Sequence, residues 1–184
     1  RDIADLIRGR DIAVLSDEPY CHMVWGGQHH SLAAQPGMLE QCVAAYTFSK
    51  SYSMSGWRLG FCVSSPRIIE AISLMINTSI SCTPPLVQLA GKAALQNDSA
   101  ERDEVMLKFR SKVELLTKGL NRIEGFHVLD PTGTFYVFSD VSPVCNRLGI
   151  SSHGLALYLL QGADDDFGIA CLGGECFGDA GAGF

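Results

Sequence analysis

Apolar positions Ile3, Leu6 and Ile7 carry the spacing of an amphipathic helix over residues 1–8, and Gly9 stands where its C-cap is expected. Ile12-Ala13-Val14-Leu15 is an unbroken apolar run, as suits a strand covered on both faces within a parallel sheet. It runs into the polar cluster Ser16-Asp17-Glu18-Pro19-Tyr20. An irregular segment, 21–41, leads to a second apolar run from Cys42 to Tyr46 and on to Thr47-Phe48-Ser49-Lys50. A third run, Leu59 to Val63, follows too soon for a parallel crossover, so we expect it antiparallel to the second. Ser65-Pro66 predicts a helix start, and Ile68, Ile69, Ile72, Met75 and Ile76 keep helical spacing behind it. Thr83-Pro84 opens another helix, carrying Leu86, Leu89, Ala90 and Ala93. Asp98 and Glu101 resemble a capping box before a long helix with the stripe Val105, Phe109, Val113, Leu116, Leu120 and Ile123, closed by Gly125. Beyond it we expect strands at 126–129 and 135–139, a helix near 152–161 and a strand near 168–172. The composition shifts near residue 98, which is taken as a domain boundary.

Composition narrows the function classes. The 184 residues are 47% hydrophobic, enough to bury a real core. Lys and Arg number 14 against 20 Asp and Glu, a net charge of -6, so the chain is a poor candidate for nucleic acid or anionic lipid. No apolar run reaches the roughly 20 residues that span a bilayer. The opening RDIADLIRGR is too charged for a signal peptide. Seven cysteines without a CxxC pair argue against a disulfide framework and for a reducing cytosol. Both ends read as interrupted, so a piece of a longer chain is expected.

Candidate chemistry gathers just past the first two apolar runs, at the sheet edge where open α/β folds bind ligands. Asp17 and Tyr20 leave the first strand; Thr47, Ser49 and Lys50 leave the second; Arg58 follows Lys50 by eight residues. Singly, each has an ordinary explanation: a lone lysine is usually a solvated charge, and an aspartate after a strand is usually a turn residue. Together they place a carboxylate, a phenol, hydroxyls, an amine and a guanidinium on one edge. Other clusters fare worse. Cys21-His22 and His29-His30 lack a third ligand at metal-site spacing and read as loop residues. Asp164-Asp165-Asp166 reads as a solvated turn, Trp57 as a core residue, and Cys171 and Cys176 as small packing residues.

Asp17-Glu18-Pro19-Tyr20, Thr47-Phe48-Ser49-Lys50 and Gly56-Trp57-Arg58-Leu59-Gly60, in that order and spacing, resemble the active-site signature of class I/II aminotransferases of the fold-type I pyridoxal-phosphate family. Gly133-Thr134-Phe135-Tyr136 and the glycine-rich stretch from Cys176-Phe177-Gly178 to Gly183-Phe184 extend the resemblance along the chain. It implies an α/β fold: part of a mostly parallel sheet flanked by helices (the large domain, residues 1–97) plus a small α+β domain (98–184) lacking its final segment. It implies pyridoxal 5'-phosphate as cofactor, no metal, and amino transfer between an L-amino acid and a 2-oxo acid in a cytoplasmic homodimer.

By the same resemblance Lys50 would form the Schiff base, Asp17 would pair with the pyridine nitrogen and Tyr20 with the ring's 3′ oxygen. Arg58, Thr47 and Ser49 would hold the phosphate, the arginine fork matching phosphate oxygens. The family's phosphate loop, ring-stacking aromatic, 3′-oxygen asparagine and carboxylate-binding arginine have no counterpart here. The chain alone is therefore expected to be inactive. Two alternatives share the lysine: a non-catalytic pyridoxal-phosphate-binding regulatory domain and a fold-type I lyase.

Overall fold

A computed structural model describes residues 2–97 and 100–184. The chain divides into two compact units, residues 1–107 and 108–184. The first opens with helix α1 (Asp2–Ile7), whose Ala4 and Ile7 are buried against Met38, with Val14 and Leu32 packed around them. Gly9 takes φ +74° after the helix, as a C-cap requires. Strand β1 is Val14–Asp17, two residues later than the apolar run predicts, because the ladder to its neighbour begins only at Val14. Strand β2 (Cys42–Thr47) runs parallel to β1, pairing Val14 with Cys42 and Asp17 with Ala45. Strand β3 (Gly60–Val63) is antiparallel to β2, as its short connection predicts. The sheet order is β1-β2-β3, with β2 central and its Cys42 and Ala44 fully buried.

Helix α2 (Pro66–Ser79) starts behind Ser65, with Pro66 in its first turn. Helix α3 (Pro85–Gln96) turns a different face inward from the one its leucines predict. Leu86 and Leu89 are exposed, while Gly91 is buried. The cause is local: a Cβ at Gly91 would collide with the Leu59 side chain and lie 3.2 Å from the Phe48 ring. Only the glycine face can approach that closely.

The long helix α4 (Ala100–Leu120) contributes residues to both units. Its proposed cap residue Asp98 lies outside the described residues. Met106, Val113 and Thr117 are its buried positions, whereas Leu116 and Ile123, expected in the apolar stripe, are about half exposed. In the second unit, β4 (His127–Val128) pairs antiparallel with β5 (Ser139–Asp140). β4 is shorter than the expected strand at 126–129, and β5 meets the expected strand at 135–139 only at Ser139. The Asn121 side chain brackets Val128, donating to its carbonyl (2.9 Å) and accepting from its N–H (2.8 Å).

Helix α5 (Ser142–Leu148), which the sequence pattern does not announce, packs Val144 and Cys145 with Val141 and with Leu155 of α6 (Ser152–Gln161). Residues 168–172 form no strand. Their register is fixed instead by the Ile169 N–H donating to the Leu159 carbonyl (2.8 Å). Cys171 and Cys176 are exposed rather than packed, and Asp164 closes its turn by accepting from the Asp166 and Phe167 N–H groups. Among the described residues no helix is long and apolar enough to cross a membrane.

Candidate active site

The first unit brings the predicted polar residues to the carboxyl ends of β1 and β2. Asp17 is the last residue of β1 and is exposed. Pairing continues one residue further, where the Glu18 N–H donates to the Ala45 carbonyl (2.8 Å). Pro19 then turns the chain, and Tyr20 opens a tight turn closed by the Met23 N–H on its carbonyl (2.8 Å). From the neighbouring strand end, Lys50 Nζ reaches over the Tyr20 ring, 5.8 Å from its centroid, within cation–π range.

Phe48 is the anchor of the second strand end. It is buried to 3% exposure, and its ring meets those of Tyr52 (5.3 Å) and Phe61 (5.7 Å). Its N–H donates to the Leu59 carbonyl (3.1 Å), and its own carbonyl accepts from the Met54 N–H (3.2 Å). With Phe48 driven inward, Thr47 and Ser49 on either side form a hydroxyl pair. Thr47 Oγ1 lies 2.9 Å from Ser49 Oγ and accepts from the Ser49 N–H (3.1 Å). Thr47 Oγ1 also stands 3.4 Å from the Leu59 carbonyl, tying this strand end to the segment that carries Arg58.

Arg58 follows a 3₁₀ turn at Ser55–Trp57 and sits at φ +51°. Left-handed backbone is uncommon for a residue with a side chain, and such strain concentrates at functional sites. Arg58 is exposed; its Nη1 donates to the Ser55 carbonyl (3.2 Å), leaving the rest of the fork toward solvent. Trp57 is 47% exposed, contrary to the expected core role, because the 3₁₀ turn directs it off the sheet.

A second polar group, adjacent to the first, is not legible from the motif alone. Glu18 is 6% exposed and its carboxylate accepts three hydrogen bonds. Ser16 Oγ (2.8 Å) and Ser31 Oγ (2.7 Å) donate to Oε1, and His29 Nε2 lies 2.8 Å from Oε2. Tyr46 Oη stands 3.4 Å from Ser31 Oγ at the margin of the group. Burial alone would raise the Glu18 pKa, but hydrogen bonds from His29, Ser31, Ser16 and Tyr46 outweigh it and hold the carboxyl below its ordinary value. Burial pushes the Tyr46 phenol and the Cys21 thiol up. The signal in the sequence was strand alternation: with Asp17 facing out, Glu18 had to face in and needed partners. His29, set aside as a loop residue, is one of them. Among the described residues no group of three or more His, Cys, Asp or Glu is arranged to hold a metal ion.

The ends of β1 and β2 thus carry a carboxylate, a phenol, paired hydroxyls and an amine, with a guanidinium on the turn that precedes β3. The sequence model of the family described as aminotransferase class I and II matches residues 1–182. The aspartate aminotransferase of Pyrococcus horikoshii is 30% identical over 188 residues, spanning 100% of this chain and 45% of its own length. The arginine–pyruvate transaminase of Pseudomonas aeruginosa is 29% identical, over 98% of this chain and 44% of its own. The crystal structure of an aromatic aminotransferase from Pyrococcus horikoshii superposes with a TM-score of 0.84 at 30% identity, covering 99% of this chain and 47% of that one. The chain belongs to the class I and II aminotransferase family and has the fold-type I architecture over the part it contains. It spans about 45% of the length of these relatives.

Proposed function

We propose that the protein to which this chain contributes is a pyridoxal-phosphate-dependent aminotransferase that moves an amino group between an L-amino acid and a 2-oxo acid, with Lys50 as the cofactor's covalent attachment point. The observation that carries the reading is the placing of Lys50 Nζ 5.8 Å over the Tyr20 ring, in the turn that follows the strand beside the one that ends in Asp17. The donor set fits the cofactor, having a separate group of suitable chemistry for its aldehyde, its ring nitrogen, its ring oxygen and its phosphate. Pyridoxal phosphate, when bound, supplies an electron sink for the substrate's α-carbon.

The protein's residues do the rest. Lys50 anchors the cofactor, and its amine, once free, takes the proton from the substrate α-carbon. The Asp17 carboxylate holds a proton on the ring nitrogen. Tyr20 donates its hydroxyl to the 3′ oxygen. The Arg58 fork and the Thr47 and Ser49 hydroxyls bind the phosphate, and the strained backbone at Arg58 is the kind of local cost that a binding site sustains. Residues 1–97 would belong to the cofactor domain and 98–184 to the small domain of a cytoplasmic homodimer. The relatives named above act on aspartate, arginine or aromatic amino acids at nearly equal identity, so the substrate is assigned only as a class.

Borohydride treatment of the intact, cofactor-loaded protein should fix the cofactor to Lys50. Peptide mapping that finds it on Lys92, Lys108, Lys112 or Lys118 would overturn the assignment. Incubation with amino acids then separates the alternatives. Stoichiometric 2-oxo acid and aminated cofactor mark a transferase, an eliminated or decarboxylated product marks a lyase, and no product marks a regulatory domain.

A further inference from the structure

We infer that Glu18 is a positioning residue of the proposed cofactor site, its buried carboxylate clamping the segment around His29 and Ser31 onto the ends of β1 and β2 so that Asp17 and Tyr20 are held in place; the inference rests on the cofactor reading given above. The carboxylate's partners come from separate parts of the chain. Ser16 lies within β1, His29 and Ser31 lie on the irregular connection, and Tyr46 on β2 reaches the group through Ser31. The Glu18 side chain is 4% exposed and that of His29 33%, so the carboxylate is buried and His29 meets it from the solvent side.

Its place in the chain gives the clamp its consequence. Successive residues of a strand face opposite sides of the sheet, so fixing Glu18 inward fixes the rotation of the strand end and turns Asp17 outward. The Glu18 N–H on the Ala45 carbonyl (2.8 Å) locks the same strand end against β2 along the sheet. Two residues on, Tyr20 receives its position from the same anchored backbone, under Lys50 Nζ. On the other strand, Tyr46 precedes Thr47 directly and stacks on Phe61 (5.0 Å, 21°). The clamp thus includes the direct neighbours of two proposed cofactor ligands, Asp17 and Thr47, and lies two residues before a third, Tyr20, while none of its own residues is among those ligands. An apolar side chain would fill the recess at lower desolvation cost. What a polar head group adds is direction, because its hydrogen bonds hold three partners at set angles.

The test uses the intact protein and three variants, Glu18→Ala, Glu18→Gln and His29→Ala. Glutamine keeps Oε1 for both serines and can donate from Nε2 to a neutral His29, so it should rescue what alanine loses. The readouts are the circular dichroism of the bound cofactor's visible band, which reports how the ring is held, and the cofactor dissociation constant. Groups that orient metal ligands cost roughly 10–100-fold in affinity when removed, and we expect about 10-fold here for Glu18→Ala. A weakened dichroic band should accompany it, with borohydride still labelling Lys50 and with Glu18→Gln near wild type. Wild-type dichroism and affinity in Glu18→Ala would overturn the inference whatever its melting temperature. Should Glu18→Ala not fold, His29→Ala removes one arm from the half-exposed side, and an unchanged cofactor signal in that variant overturns the inference equally. If the wild-type protein is not labelled at Lys50, the functional reading fails by itself. The clamp is then judged by amide hydrogen exchange, which should accelerate across Tyr20–Met23 in Glu18→Ala and His29→Ala; unchanged exchange refutes it.

Discussion

Two glycines of the Gly-Trp-Arg-Leu-Gly stretch look alike in the sequence but do different work in the fold. At Gly60 a Cβ would stand 2.6 Å from the Tyr46 carbonyl oxygen, across the ladder in which Gly60 opposes Thr47. Carbon–oxygen contacts of this kind settle near 3.3 Å, so the two strands would have to part by roughly 0.7 Å. The obstacle is backbone on both sides and no rotamer change relieves it. Overpacking of this sort costs about 1–3 kcal/mol, and replacing glycine by alanine returns about 0.4–1 kcal/mol through the unfolded chain. Gly60→Ala should therefore destabilise the intact protein by about 1–2 kcal/mol. At Gly56 nothing lies within 4 Å of the added carbon, and φ is not positive. Gly56→Ala should be neutral or stabilising by up to about 1 kcal/mol. Equilibrium denaturation of the two variants beside wild type measures the difference. Because the displaced strand carries Thr47, Gly60→Ala should also weaken cofactor binding, while Gly56→Ala should not. A Gly60→Ala protein as stable as Gly56→Ala would refute the close approach and the β2–β3 register built on it.

Two further outcomes follow from burial and charge. Glu18 titrates below its ordinary 4.5 in the folded state, so its stabilising contribution is present above 4.5 and is lost as pH falls through the folded value. Denaturation midpoints of wild type and Glu18→Gln should keep a constant gap near neutrality and converge on acidification; a gap that widens in acid would reverse the sign of the argument. On α4, Val113 is 6% exposed and Leu115 74% exposed, so Val113→Asp should cost at least about 2 kcal/mol and Leu115→Asp about 0.5 or less. Equal melting temperatures for these two variants would mean that the buried face of α4 has been assigned wrongly.

The sequence by itself determined the local order of this protein and its family. Apolar runs and helix-start signals are short-range properties, and they located β2, β3, α6 and the start of α2 to within a residue or two. The antiparallel sense of β3 followed from connection length, a constraint of chain geometry. The family and the fold type were legible because the spacing of Lys50, Arg58 and the Asp17 motif is itself written along the chain.

Tertiary structure decided everything that depends on what lies opposite. A hydrophobic stripe says that a helix has an inner face, but the closest approach at Gly91 chose which face of α3 that is. Residues 168–172 have the composition of a strand, yet a strand exists only where a partner supplies its ladder, and among the described residues none pairs with them. Trp57 is apolar enough for a core but rides on a 3₁₀ turn that carries it outward. The Glu18 clamp needed the fold most of all. Its acceptors and donors are separated along the chain, and a carboxylate can be buried only where those donors meet it in space, which no local pattern encodes.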